Sequence, residues 1–266
     1  MKLIASRGNP QFKALRALAG DAREMRRQNL ALLDGSHLVL AYRDKVGLPL
    51  QLIVSEHGLA QAEIRALAER LQGEAVDCLL LKDDLFESLS ALTTPAGIMA
   101  LIPIPAPAAP MAAGSCLLLD AVQDAGNVGA ILRSAAAAGL RDVFLGPGCA
   151  SVWTPRVLRA AQGAHFDLAL REQADLGQLV RDLGPRVVAA VPEAGESLYG
   201  LDLTGPVAWL FGNEGAGVSP ALLAQTGRRA RIPMAEGSES LNVAAAAAVC
   251  LFEQRRQKLL AAGGKD

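Results

Sequence analysis

"LDAVQDAGNVGAILRSAAAAG", residues 119–139, runs from the end of an apolar stretch through a short polar loop into an alanine-rich segment. The apolar spacing over 128–138 is helical, and the run before it, "CLLLD" (116–120), reads as a strand. A strand apolar on both faces is the habit of a parallel sheet covered on both sides. Arg133 stands in the middle of a helix made almost wholly of Ala, Ile, Leu and Val. An arginine cannot shed its charge, and burying one unpaired costs several kcal/mol or more. The sequence therefore predicts a partner for Arg133, or a site organised around its charge.

Working outward toward the carboxyl terminus, the same alternation repeats. "DVFLG" (142–146), "RVVAAV" (186–191) and "VAWLFG" (207–212) are further continuous apolar runs, and helices are expected at 128–138, 154–161, 175–183, 219–225 and 242–260. The pairs Thr154-Pro155 and Ser219-Pro220 place a capping hydroxyl ahead of a proline at the first helical position. This is an open α/β sheet, whose ligands bind at the carboxyl ends of the strands. Three loops at such ends hold the informative residues: 124–129, 212–217 and "IPMAEGSESLN" (232–242), where Asn242 is placed to cap the last helix.

Toward the amino terminus, Ser88 to Leu119 contains no charged residue, but Pro95, Pro103, Pro105, Pro107 and Pro110 interrupt it too often for a membrane-spanning helix. "IPIPAPAAPMAAG" (102–114) reads as a semi-rigid extended linker. Before it, strand candidates at 51–55, 78–81 and 97–102 alternate with helical patterns at 10–19, 36–46 and 59–72. The expected organisation is a small α/β domain over 1–101, the linker, and a larger α/β domain over 115–266.

Of the 266 residues, 51% are hydrophobic and 20% charged, so the chain is globular. Its opening is too poor in apolar residues for a signal peptide, and Cys78, Cys116, Cys149 and Cys250 are too dispersed for a disulfide framework or a zinc site. The expectation is a cytoplasmic protein with reduced thiols, no metal and no membrane association. The net charge of −1 hides a polarity: residues 1–45 hold nine basic and four acidic residues, net +5, which leaves −6 for the rest. A localised basic face is suited to holding phosphates; a solvated helix surface fits the same numbers.

Familiar nucleotide motifs fail. Gly212 and Gly217 are followed by Val218-Ser219, without the lysine of a phosphate loop, and Pro220 stands where a dinucleotide fingerprint needs its third glycine. That disfavours a nucleotide-dependent oxidoreductase.

Taken together and in order, N-V-G-A-I-L-R (127–133), F-G-N-E-G-A-G (211–217) and I-P-M…S-L-N-V-A-A-A-A (232–248) resemble the motifs of the SpoU-type, or TrmH-like, RNA ribose methyltransferases of the SPOUT superfamily. "SRGNPQFKALRAL" (6–18) and "LLDGSHLVLAYRD" (33–44) are similar to the amino-terminal RNA-binding domain, of ribosomal-protein type, found in many members. The resemblance implies a trefoil-knotted carboxyl-terminal domain that holds S-adenosylmethionine, and a homodimer across whose two-fold axis the site is completed. It places cofactor contacts at Gly212, Ile232, Met234 and Leu241, and catalytic positions at Asn127, Arg133, Glu214, Ser240 and Asn242.

Methyl transfer to a 2′-hydroxyl is an in-line displacement, so placement of the reactants carries much of the catalysis. Arg133 suits anchoring a neighbouring phosphate and stabilising an incipient alkoxide, with Glu214 and Asn127 as expected partners of its guanidinium. Arginine side chains, with pKa above about 12, make poor bases. Arg7, Arg23, Arg26, Arg27 and His37 are candidates for RNA contact in the basic amino-terminal region. With 4% aromatic residues the chain offers little base-stacking surface, so RNA is expected to be read through phosphates, 2′-hydroxyls and shape. Ribosomal RNA is favoured over tRNA. A base-directed methyltransferase and a non-catalytic RNA-binding protein of the same fold are the competing readings.

Overall fold

The computed structural model describes residues 1–109, 114–237 and 239–263. Residues 110–113 of the expected linker, and Ser238 in the third loop, lie outside the described residues. The chain forms two compact units: Met1–Ala106 with Trp153–Phe166, and Pro107–Val152 with Asp167–Asp266.

The first unit is built from β1 (Lys2–Ile4), α1 (Pro10–Gly20), α2 (Ala22–Gln28), β2 (Leu30–Asp34), α3 (Ser36–Lys45), β3 (Gln51–Ser55), α4 (Glu56–Ala60), α5 (Ala62–Gly73), β4 (Asp77–Leu81), α6 (Asp83–Glu87) and β5 (Ile98–Pro103). Its five strands lie in the order β1-β4-β3-β5-β2, with β5 antiparallel to both of its neighbours. Helix α1 shows how local chemistry and packing agree. Pro10 starts it, and the Asn9 side chain accepts from the N–H groups of Gln11 and Phe12. Phe12, Leu15 and Leu18, one helical turn apart, pack into a core with Ile53, Leu79 and Leu81. Each such side chain contributes about 1.5–3 kcal/mol by leaving water.

The second unit contains β6 (Cys116–Leu119), α7 (Ala125–Ala138), β7 (Asp142–Leu145), β8 (Ala169–Arg171), α9 (Leu176–Leu183), β9 (Val187–Ala190), β10 (Glu196–Ser197), β11 (Ala208–Phe211), α10 (Pro220–Leu223), β12 (Arg228–Arg231) and α11 (Val243–Ala261). All seven strands are parallel, in the order β10-β12-β9-β11-β6-β7-β8. Every residue of β6, β7 and β11 is buried; β6 and β11 are unbroken apolar runs, and Asp142, which opens β7, is paired with Arg171 at 2.9 Å. Helix α11 is pinned to this sheet by Gln254, which accepts from Trp209 Nε1 at 2.9 Å and donates to Ser115 Oγ at 3.0 Å.

The expected α/β architecture is present in both units, with instructive departures. Strands β1, β2, β8, β10 and β12 depart from the expectation: β1, β8 and β10 have three residues or fewer, and β12 is spelled Arg-Arg-Ala-Arg. Its pairing with β9 and β10 makes it a strand, while Arg228 and Arg229 donate to the carbonyls of Asp202 and Leu223. Prolines start both 155–161 and 220–223 as expected, but neither the Thr154 nor the Ser219 hydroxyl caps its helix. Ser219 N–H instead donates to Asp120 Oδ2 at 2.7 Å. Helix α8 (Pro155–Ala161), expected inside the carboxyl-terminal domain, groups with the first unit. Helical spacing reveals that one face of it is apolar; it does not say which core that face meets.

One position in the first unit is governed by backbone proximity. A Cβ on Gly58 would lie 2.2 Å from the carbonyl oxygen of Gly97. Neither of these backbone segments can step aside without disturbing β3 or β5. Gly58→Ala is therefore expected to destabilise the protein by about 1–3 kcal/mol in urea denaturation. Gly73→Ala, at the open end of α5 with nothing within 4 Å of its Cβ, should be neutral or stabilising.

Candidate functional site

Strand β11 ends at Phe211, and the chain folds back on itself over 212–217. Asn213 and Gly217 exchange both backbone hydrogen bonds at 2.9 Å. The crossing is so close that a Cβ on Gly212 would sit 2.1 Å from the Gly217 carbonyl carbon. Only glycine leaves room. The Asn213 side chain braces the turn, accepting from the N–H groups of Gly215 and Ala216 at 3.0 Å and donating to the carbonyl of Ala121 at 2.9 Å. Ala121 itself lies in the left-handed region, φ 54°.

The braced turn presents Glu214 to the loop between β6 and α7. Its carboxylate accepts from Gln123 N–H at 3.2 Å, Asp124 N–H at 3.0 Å and Asn127 Nδ2 at 3.1 Å. Partial burial pushes this carboxyl's pKa up, but the bonds from the Asn127 side chain and from the backbone N–H groups of Asp124, Glu214 and Gln123 outweigh it and leave it below the usual value. Asn127 Oδ1 in turn accepts from Asn242 Nδ2 at 2.9 Å. Asn242 also caps α11, its Oδ1 accepting from Ala244 and Ala245 N–H. The expected residues Asn127, Glu214 and Asn242 thus form one bonded chain across three loops.

Beside this chain lies a cleft of about 230 Å³ whose walls include Gly212, Glu214, Ile232, Met234, Ser240 and Leu241. All four residues expected at a cofactor, together with the expected Ser240, line it. Val191 and Pro192, beyond the end of β9, line it too and were not singled out in the sequence. Their strand-end position was the available signal; being apolar, they carried no motif.

Arg133 corrects the sequence reading. Val128, Ile131, Leu132 and Ala135 turn inward on α7, and Arg133 faces solvent, so no charge is buried. Among the described residues it makes no hydrogen bond or ion pair, it does not line the cleft, and its expected partners Glu214 and Asn127 bond each other instead. In the first unit, Arg7, Arg23, Arg26 and Arg27 are exposed, as is His37 in the first turn of α3. Arg7 lies 3.8 Å from Asp84, and Arg27 donates from Nε to Glu24 at 2.9 Å. The two tryptophans are buried, and of the four thiols only Cys149 is partly exposed.

Two substitutions test this geometry. Gly212→Ala should disrupt the turn and the cleft and lower stability by about 1–3 kcal/mol. Glu214→Gln keeps the shape but replaces one acceptor oxygen with a donor facing N–H groups; a loss of about 1 kcal/mol is expected, read as a fall of roughly 2–4 °C in Tm.

The family model described as the SpoU rRNA Methylase family matches residues 114–252. The chain is 32% identical over 258 residues to the 23S rRNA (guanosine(2553)-2′-O)-methyltransferase RlmP of Bacillus subtilis, covering 96% of this chain and 100% of that one. It is also 32% identical over 269 residues to an uncharacterised tRNA/rRNA methyltransferase of Synechocystis, covering 96% and 94% of the two chains. Among solved structures, that of an AdoMet-bound rRNA methyltransferase from Sinorhizobium meliloti matches with a TM-score of 0.80 at 26% identity, over 96% of this chain and 97% of that one. With its three loops tied as the motifs foretell and its whole length shared with such relatives, the chain belongs to the SpoU rRNA methylase family, the S-adenosylmethionine-dependent, TrmH-like branch of the SPOUT superfamily.

Proposed function

We propose that this protein methylates a ribose 2′-hydroxyl of ribosomal RNA, with S-adenosylmethionine as methyl donor. The observation that carries the reading is the bonded chain Asn242–Asn127–Glu214 at the rim of the cleft lined by Gly212, Ile232, Met234 and Leu241. The apolar side chains suit the faces of a purine and its ribose, and the bare backbone at Gly212 allows close approach. Bound there, S-adenosylmethionine supplies an electrophilic methyl group on a sulfonium. The names of the Bacillus and Sinorhizobium relatives support ribosomal RNA over tRNA.

In this mechanism Asn127, Glu214, Asn242 and Ser240 hold the loops that orient the cofactor and the target ribose. Arg133 anchors the phosphate beside that ribose and favours the negative charge that develops on the 2′-oxygen as it takes the methyl group and its proton passes to solvent water. A guanidinium holds its own protons too firmly to be the base. Because Arg133 is exposed and does not line the cleft of its own chain, it serves the cleft of a second copy. The homodimer then covers the apolar surface of α11, where Phe252 is 45% exposed. After β12 the chain passes the 212–217 turn, where Ile232 and Met234 share its cleft, before α11 packs on α7; this route supports the trefoil knot implied by the motifs. The first unit docks RNA through Arg7, Arg23, Arg26, Arg27 and His37, and the protein works in the cytoplasm.

Two measurements test the reading. Arg133→Ala should lower methyl transfer at least 100-fold, about 2.7 kcal/mol, with cofactor affinity and Tm unchanged. Arg133→Lys should not restore it, since a point charge lacks the planar fork; near wild-type rates in either variant would overturn the role. Comparison of ribose methylation in ribosomal RNA from cells with and without the protein locates the target nucleotide. RNA carrying a 2′-deoxy residue there should bind within roughly tenfold of the ribose substrate, because phosphate contacts dominate affinity, yet accept no radiolabelled methyl. Label in the deoxy RNA would assign the chemistry to the base.

A further inference from the structure

The segment 153–166 is not used by the methyl-transfer site. It lies between β7 and β8 in sequence, yet it is part of the first unit. Val157, Leu158, Ala161 and Ala164 are buried there, the Phe166 ring meets Tyr42 of α3 edge-on at 5.4 Å, and Gly163 packs so closely that its Cβ would lie 3.2 Å from that of Ala41. Helix α8 also packs on β2. With its apolar face committed inward, α8 turns Arg156 and Arg159, three residues apart and so on one face, to solvent. Neither guanidinium makes a hydrogen bond or a close ion pair among the described residues. From Val143 to Phe166 they are the only charged residues apart from His165, and no carboxylate accompanies them. Along the chain the pair has no acidic neighbour, and the carboxylate that answers Arg159 comes from β2.

Their surroundings set a direction. Arg159 lies near Asp34 at the carboxyl end of β2: burial pushes that carboxyl's pKa up, and the Ser90 hydroxyl and the Arg159 charge pull against it. Ser90 Oγ donates to Asp34 Oδ2 at 2.5 Å, and Arg159 makes no hydrogen bond to this carboxylate among the described residues. At the other end of β2, α2 carries Arg23, Arg26 and Arg27. The five residues of β2 span roughly 13 Å at about 3.3 Å each. Cations therefore flank both ends of this edge strand, within reach of one nucleic-acid backbone.

We propose that Arg156 and Arg159 of α8 are an RNA phosphate-docking site, so that the RNA-binding surface of the first unit is completed by a segment from the methyltransferase half of the sequence. This rests on the reading of the protein as an RNA methyltransferase. The sites bind backbone, so they raise affinity without choosing the nucleotide.

The test uses the full-length protein and unmodified, in vitro transcribed large-subunit ribosomal RNA. Arg156→Ala/Arg159→Ala should weaken RNA binding about tenfold near physiological salt, and the slope of log affinity against log salt should flatten by about 1.4–1.8, the loss of two phosphate contacts. The double glutamate variant should bind more weakly still. KM for RNA should rise while kcat at saturating RNA, cofactor affinity and Tm stay at wild-type values. RNA affinity within twofold of wild type with an unchanged salt slope would overturn the proposal. So would a fall in kcat at unchanged affinity, which would place the arginines at the chemical step. If wild-type protein neither binds this RNA nor methylates it, the functional reading itself fails; if it does both and only the variants are indistinguishable from it, the docking site alone is wrong.

Discussion

The carboxylate of Glu214 is the interaction on which the site depends. Two backbone N–H groups ahead of α7 and the amide of Asn127 converge on it. An anion near the amino end of a fourteen-residue helix is also favoured by the partial positive charge there. One side chain thereby joins the end of β11 to the end of β6, and through Asn127 and Asn242 it reaches the start of α11. If it is removed, the N–H groups ahead of α7 and the Asn127 amide lose their shared acceptor.

That acceptor is only useful if it is held, and the second unit holds it from below. Asn213 ties the 212–217 turn to Ala121, Asp120 receives Ser219 N–H, and the buried β6 and β11 pair in parallel along their whole lengths. A backbone held in the left-handed region at Ala121 is tolerated because its neighbours over-determine it. The polar bridge from Trp209 through Gln254 to Ser115 fixes α11 to the same sheet. The cleft therefore borrows its rigidity from strands that contribute few residues to it.

The first unit follows a different logic. Its core is satisfied by apolar side chains from α1 and the sheet, while Arg7, Arg23, Arg26 and Arg27 stay at the surface, where long side chains remain hydrated. Charge is thus largely separated from packing: the fold carries most of its cations without burying them, and α8 adds two more while its apolar face packs on β2. Arg27, held by Glu24, and Arg43, half-buried against Glu74, already share their forks.

Much of this was legible in the chain itself. Continuous apolar runs at 116–119, 143–145, 187–190 and 208–211 betrayed buried parallel strands because such strands meet apolar neighbours on both faces. The motif residues Asn127, Gly212, Glu214 and Asn242 were legible because a tight turn, a carboxylate hub and a cap each demand particular residue types. Beyond the reach of the sequence were outcomes that depend on partners distant along it. Arg133 is exposed because α7 is rotated to bury Ile131 and Leu132, an orientation that helical periodicity constrains only loosely. Strand β12 exists because β9 and β10 offer hydrogen bonds to a run of arginines with no strand pattern of its own. The affiliation of α8 with the first unit was decided the same way: local spacing determines that a helix has an apolar face, and only the assembled core decides which surface that face will cover.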